Sequence, residues 1–262
     1  MLFLSDVDGT LITYDRRMDE RDIEAIRRWQ ADGHQFGLVT GRDLTYCKNL
    51  LGAFGIVPDC LIASNGATLF CQGQTVAVSV LSSIEAASVM KSLAKERDLI
   101  AFVTLENGKH YFRAADLPIA KQKQAHLAHF SETDVFDLLA AGHEVPKISV
   151  YVPDIRQTDC VLARLKERFA PLSVMKTSVD YVEITQQGCD KAAALHQLME
   201  RFAIEPHTIA FAGDGENDVP LFRVLERTYV MVHAHPSVQA QAAYRIQSVR
   251  EALEQERRGN DV

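Results

Sequence analysis

The sequence predicts an α/β fold, a parallel-sheet core interrupted by an inserted α+β module. Three observations lead to it. Over roughly the first eighty residues, short apolar runs alternate with amphipathic stretches, and over the last seventy-odd the same rhythm returns. Between them the apolar runs take on the strict alternation of half-buried strands. Strand–helix–strand succession implies parallel strands with helices on both faces of the sheet. At 262 residues the chain suffices for one large domain or two modest ones, with length to bury a core.

The elements follow in order. "MLFLSD" is a short buried strand. "DERDIEAIRRWQADG" (19–33) is a helix with Asp19 as N-cap, Ile23, Ile26 and either Trp29 or Gln30 along one side, and Gly33 as the stop. "HQFGLVT" is the next strand, "LTYCKNLLGAFG" a helix ending at a glycine, and "CLIAS" a third strand. "NGATLFCQGQTVAVSV" reads as a hairpin turning near "QGQ". After the insertion come a helix "KAAALHQLMERFAI", a strand "TIAFAGD", a helix "DVPLFRVLE", a strand "TYVMVH", a short helix "PSVQAQAA" and a terminal helix "SVREALEQERR", with "EQERRGNDV" frayed at the end. The inserted stretch contributes helices "SIEAASVMKSLAKERD" and "DCVLARLKERFA" and strands "IAFVTLEN", "KHYFRA", "KISVYVP" and "VDYVEIT". This places a Rossmann-like core at residues 1–81 and 185–262, with an α+β cap at 82–184.

Composition narrows the function. Hydrophobic residues at 47% and charged ones at 24% are ordinary for a soluble globular protein. A net charge of -7 argues against a nucleic-acid partner, which calls for clustered Lys and Arg. The N-terminus lacks the basic flank and cleavage site of a signal peptide, and no apolar run approaches the ~18–20 residues of a membrane span. Five scattered cysteines without a CxxC pair read as reduced, buried thiols, and the expected compartment is the cytoplasm.

Four polar patches fall where core strands end: "DVDGT" (6–10), "LVTGR" (38–42), "CDK" (189–191) and "FAGDGENDVPLF" (211–222). In a parallel sheet the carboxyl ends of the strands share one edge, and ligands bind in that crevice. Asp6, Asp8, Asp214 and Asp218 supply negative charge, Lys191 and Arg42 positive charge, and Thr10, Thr40 and Gly41 short donors for an oxyanion. Alternation along an extended segment puts Asp6 and Asp8 on one face, where mutual repulsion asks for a cation. Hard carboxylates without His or Cys beside them suit Mg²⁺ working next to a phosphate.

These motifs, in this order and over nearly the whole chain, resemble the haloacid dehalogenase superfamily of phosphohydrolases, specifically its Cof-like branch with a large α/β cap. "DxDGT" followed about 200 residues later by "GDGxND" carries the resemblance. It implies an Mg²⁺-dependent phosphatase acting on a small phosphorylated metabolite, a sugar phosphate or related compound, with a phosphomutase or a catalytically silent phospholigand-binding module as alternatives. Asp6 is then the nucleophile and Asp8 the acid and base. Thr40, Gly41 and Thr10 hold phosphate oxygens, and Lys191 neutralises charge. Mg²⁺ falls to Asp6, the Asp8 carbonyl, Asp214 and Asp218, with Asn217 close by, and Asn65 and Arg42 face the leaving group. The family commonly follows this lysine with glycine, where Ala192 stands here, and has a glycine–asparagine pair where this chain reads "VMVHAHP". With the metal supplied by oxygen ligands, His233 and His235 are read as loop histidines, and His126 and His129 as a helix surface inside the cap.

Overall fold

The computed structural model describes residues 1–12, 17–124, 127 and 129–260. Strand β1 (Leu2–Ser5) is buried at every position, as a strand covered on both faces of a parallel sheet is. Helix α1 (Glu20–Ala31) follows, its N-cap Asp19 accepting from the Arg21 N–H. Then come β2 (Gln35–Val39), α2 (Leu44–Gly52), β3 (Cys60–Ala63), β4 (Thr68–Cys71) and β5 (Gln74–Ala77).

The chain next builds α3 (Ser83–Leu93), β6 (Ile100–Thr104), β7 (His110–Phe112), α4 (Leu117–Lys123), α5 (Val135–Ala140), β8 (Ile148–Tyr151), α6 (Thr158–Arg168), β9 (Ser173–Lys176) and β10 (Tyr181–Thr185). It closes with α7 (Lys191–Phe202), β11 (Ile209–Gly213), α8 (Val219–Val224), β12 (Arg227–Met231), α9 (Pro236–Gln239), β13 (Tyr244–Ile246) and α10 (Val249–Asn260).

Two compact units result. One comprises Met1–Arg42, Tyr46–Val76 and the chain from Asp190 onward; the other comprises Asp43–Thr45 and Ala77–Cys189. The first holds an eight-stranded sheet in the order β13-β12-β11-β1-β2-β3-β4-β5. Its pairs from β13 to β3 are parallel, and β4 turns antiparallel to β3. The register places Ser5 beside both Leu38 and Ala212, and Gly213 beside Val230. The residues that follow β1, β2, β11 and β12 therefore emerge along one edge. Trp29, Phe3 and Phe36 pack the interior, and the Trp29 indole N–H donates to the Gln35 carbonyl at 2.8 Å.

The second unit is an antiparallel sheet, β7-β6-β8-β10-β9. Strand alternation splits it cleanly. Val103, Val150 and Val182 share an apolar core with Met90 of α3, Leu138 of α5 and Leu165 of α6, while Phe102 and Phe112 on the opposite face pack with Ala120 of α4.

Several sequence expectations need correction. The unit boundaries fall at 76/77 and 189/190, not 81/82 and 184/185. Leu81 exchanges two backbone hydrogen bonds with Val145, and the Gly188 N–H donates to the Ser173 hydroxyl, so both flanking stretches are tied into the second unit. The terminal helix runs to Asn260 without fraying: buried Glu256 accepts from Tyr229 and Arg227, and Arg257 pairs with Asp32. Residues 261–262 lie outside the described residues. Short elements escaped the pattern, namely the edge strand β13, β9 and α5.

The hairpin begins at Thr68, because Ser64–Gly66 forms a tight 3₁₀ turn with Ser64 and Asn65 at φ of 52° and 56°. Cys60 and Cys71 are register partners across β3 and β4, and the structure joins them as a disulfide; Cys160 is exposed, and Cys47 and Cys189 are buried outside that bond. His129 has φ of 64° and is not helical, and His126 lies outside the described residues. Among the described residues no helix is long and apolar enough to cross a membrane.

Candidate active site

The loop after β1 carries the first cluster. The Asp6 N–H continues the ladder onto the Ala212 carbonyl at 2.8 Å. The chain then turns on the Val7 carbonyl, which accepts from Leu11 and Ile12. Because strand geometry ends at Ser5, Asp6 and Asp8 do not stay side by side as simple alternation suggests. Asp6 is buried against Lys191, whereas the Asp8 carboxylate is half exposed and forked by Arg42. Arg42 donates from Nε and Nη2 to the two Asp8 oxygens, each at 2.8 Å, and its guanidinium lies over the Tyr46 ring.

The loop after β11 wraps around its own last acid. Asp218, fully buried, accepts on Oδ2 from the Asp214 and Gly215 N–H groups, both at 3.0 Å. Its other oxygen takes Lys191. A Cβ on Gly213 would stand 2.5 Å from Asp218 Oδ2, so only glycine permits this closure. Asp190 caps α7 by accepting from the Ala193 N–H, which sets Lys191 at the helix start. The Lys191 ammonium donates to Asp6 Oδ1 at 2.7 Å and Asp218 Oδ1 at 2.6 Å while 1% exposed.

A third group forms between the loops after β2 and β3. The Asn65 N–H donates to the Thr40 carbonyl, the Ser64 N–H to the Arg42 carbonyl, and the Arg42 N–H to the Thr40 hydroxyl. Gly41 packs against the Asn65 amide, where an added Cβ would come within 3.1 Å. Thr40, Gly41 and Asn65 therefore sit together. Asn217 is half-buried in the β11 loop beside Gly215. Thr10 is directed differently from expectation. Its hydroxyl donates to Asp214 Oδ1 at 3.0 Å, turning it into a support for that acid.

The chemistry of the donor set is that of a hard-cation site. Asp6, Asp214 and Asp218 bring carboxylate oxygens within 4.8 Å of one another. Three buried or half-buried carboxylates against a single ammonium leave negative charge that a divalent ion such as Mg²⁺ can neutralise. Burial pushes the Asp6 carboxyl well above the usual carboxylate range; Lys191 opposes this, and the charges of Asp218 and Asp214 add to it. Asp214 is raised by burial and by Asp218, with the Thr10 hydrogen bond and His233 pulling the other way. Burial alone would lower the Lys191 ammonium, but Asp218 and Asp6 outweigh it and keep the group charged. The residues fit a divalent cation.

One participant escaped the sequence reading. His233, in the loop after β12, brings Nε2 to 3.7 Å from Asp214 Oδ2. Its neighbour His235 is indeed structural, capping α9 through Ser237. Both histidines lie in one loop, and only the shared sheet edge reveals which ring faces the acids.

Residues 3–252 match the haloacid dehalogenase-like hydrolase family. The chain belongs to that family. The HMP-PP phosphatase of Klebsiella pneumoniae (strain 342) is 25% identical over 239 residues, covering 90% of this chain and 85% of that protein. The crystal structure of TM0651 from Thermotoga maritima superposes with a TM-score of 0.82 at 20% identity, covering 97% of this chain and 96% of that one. A structure described as the HAD subclass IIB sugar phosphatase BT4131 gives 0.77 at 18% identity over 97% of this chain and 98% of that one. These structural likenesses establish the shared fold. Family membership makes this hydrolase an enzyme of the haloacid dehalogenase type, and its acid cluster stands at the carboxyl edge of the sheet.

Proposed function

We propose that this hydrolase is an Mg²⁺-dependent phosphatase that removes phosphate from a small phosphorylated metabolite, a sugar phosphate or related compound, through an aspartyl-phosphate on Asp6. The observation that carries the reading is the buried Asp6–Lys191–Asp218 contact with Asp214 in ligand range. Relatives named for HMP-PP and sugar phosphates support the substrate class.

Asp6 Oδ1 is held by Lys191, so Oδ2 is the attacking atom. It forms a bond to phosphorus as the ester P–O bond breaks, and Asp8 gives its proton to the departing alkoxide. Asp8, now a carboxylate, takes a proton from water whose oxygen attacks the same phosphorus. The Asp6–phosphorus bond then breaks, releasing inorganic phosphate and restoring Asp6. Both Asp8 oxygens accept from Arg42 at 2.8 Å, which fixes the orientation of the carboxyl group. Thr40, Gly41 and Asn65 hold phosphate oxygens, and Lys191 offsets the charge on the phosphoryl group. Asp6, Asp214, Asp218 and the Asp8 carbonyl hold Mg²⁺, with Asn217 close by. Bound there, the ion supplies charge neutralisation for the nucleophile and the phosphoryl oxygens. We assign substrate selection to the inserted unit.

The test is phosphate release from a panel of phosphorylated metabolites, with and without Mg²⁺, by wild type and Asp6→Asn. Release that needs Mg²⁺ and drops at least 10³-fold in the variant is expected, since the nucleophile is lost. Metal-dependent turnover by Asp6→Asn overturns the assignment. Dependence on a bisphosphate activator with little net release would identify a mutase instead.

A further inference from the structure

The carboxylate of Asp214 is confined on three sides. A Cβ on Gly9 would lie 2.3 Å from its Oδ2, so the Gly9 backbone forms one wall. The Thr10 hydroxyl donates to Oδ1 at 3.0 Å. The His233 imidazole faces Oδ2 with Nε2 at 3.7 Å. That separation exceeds a direct hydrogen bond, and the ring acts on the carboxylate through space, favouring its charged form.

The loop that presents His233 is itself fixed. The Gln239 amide donates to the carbonyls of Val232 and Ala234, both at 2.8 Å, clamping the backbone on either side of the histidine. The Val232 N–H donates to Ile246 at 2.9 Å and the Ala234 N–H to Met231 at 3.0 Å. His235 anchors the next turn by accepting from the Ser237 N–H. His233 is thus held by the backbone at a fixed point over one ligand acid, not carried on a loose segment.

We propose that His233 is a positioning residue for the divalent-cation site: from outside the ligand set it faces Asp214 Oδ2 and draws the carboxylate towards it while Thr10 holds Oδ1, fixing the acid for metal binding. This rests on the metal reading given above. Groups that orient a ligand from behind typically govern metal affinity by about 10–100-fold. The sheet edge thereby draws three separate segments, the loops after β1, β11 and β12, onto a single carboxylate.

Mn²⁺ binding to the full chain, read from the loss of the free-ion EPR signal and repeated in competition with Mg²⁺, tests this without reference to turnover. His233→Ala should weaken Mn²⁺ affinity by about tenfold or more while its urea midpoint in EDTA stays at the wild-type value. His233→Gln, whose amide nitrogen reaches to about where Nε2 stands, should recover most of the loss. Wild-type affinity in His233→Ala, or no recovery in His233→Gln, overturns the proposal and leaves the metal reading standing. Wild-type affinity in Asp214→Asn overturns both, because the cation would then bind elsewhere.

Discussion

Lys191→Met isolates the contact on which the site is built. The ammonium is 1% exposed and donates to two carboxylates, Asp6 at 2.7 Å and Asp218 at 2.6 Å. Solvent screening therefore takes little from the interaction. Methionine keeps most of the volume and removes the charge, leaving both acids without their cation in a buried place. Removing one partner of a buried ion pair typically costs about 3–5 kcal/mol. Part of that is recovered if Asp6 takes up a proton, since Lys191 already opposes the upward push of burial on that carboxyl.

At a urea dependence of about 1–3 kcal/mol per molar, the midpoint should fall by roughly 1–5 M. The single tryptophan, Trp29, is fully buried among Phe3 and Phe36 and reports the unfolding of the unit that carries Lys191. The measurement belongs in EDTA, so that bound cation does not add stability. Adding Asp6→Asn to Lys191→Met should restore part of the loss, because one carboxylate fewer then crowds the cluster it forms with Asp214 and Asp218. An unchanged midpoint in Lys191→Met, or a double variant less stable than the single, would refute the idea that this lysine neutralises buried acids.

Two further outcomes test the surroundings. Gly9→Ala combines φ of +91° with a methyl 2.3 Å from Asp214 Oδ2; turnover should fall about 100-fold as Asp214 is displaced, and wild-type kcat would show that the loop adapts freely. Asp22, whose carboxylate accepts from the Arg250 N–H at 2.7 Å, is raised above its ordinary 3.8 chiefly by burial. The folded state thus holds its proton more tightly than the unfolded one, and its contribution is present below the unfolded value and lost as pH rises through the folded one. Asp22→Asn, which keeps an accepting oxygen, should gain urea resistance relative to wild type from acid toward neutral pH, and a pH-independent difference would contradict the sign.

How much of this site could be read from the sequence follows from what the sheet does. Parallel alternation alone predicts that residues after β1, β2, β11 and β12 share an edge, so Asp6, Thr40, Asp214 and Asp218 were recognisable as neighbours before any coordinates. Alternation says nothing about where a side chain turns once its strand has ended. Asp8 leaves Asp6 at that point and meets Arg42, and the Thr10 hydroxyl turns inward to Asp214.

The same limit hid β13, three residues with two of them exposed, because a short edge strand carries too few buried positions to leave a period. It also hid the pairing of Cys60 with Cys71, which depends on the β3–β4 register. His233 is the sharpest case. Its spacing from His235 suggests a matched pair, yet one ring caps a helix and the other faces Asp214. The difference lies in the Gln239 clamp, a contact from six residues downstream that no local pattern encodes. Where a motif lies in such a loop, spacing identifies the candidates, and only the hydrogen bonds that hold the backbone decide which of them faces the site.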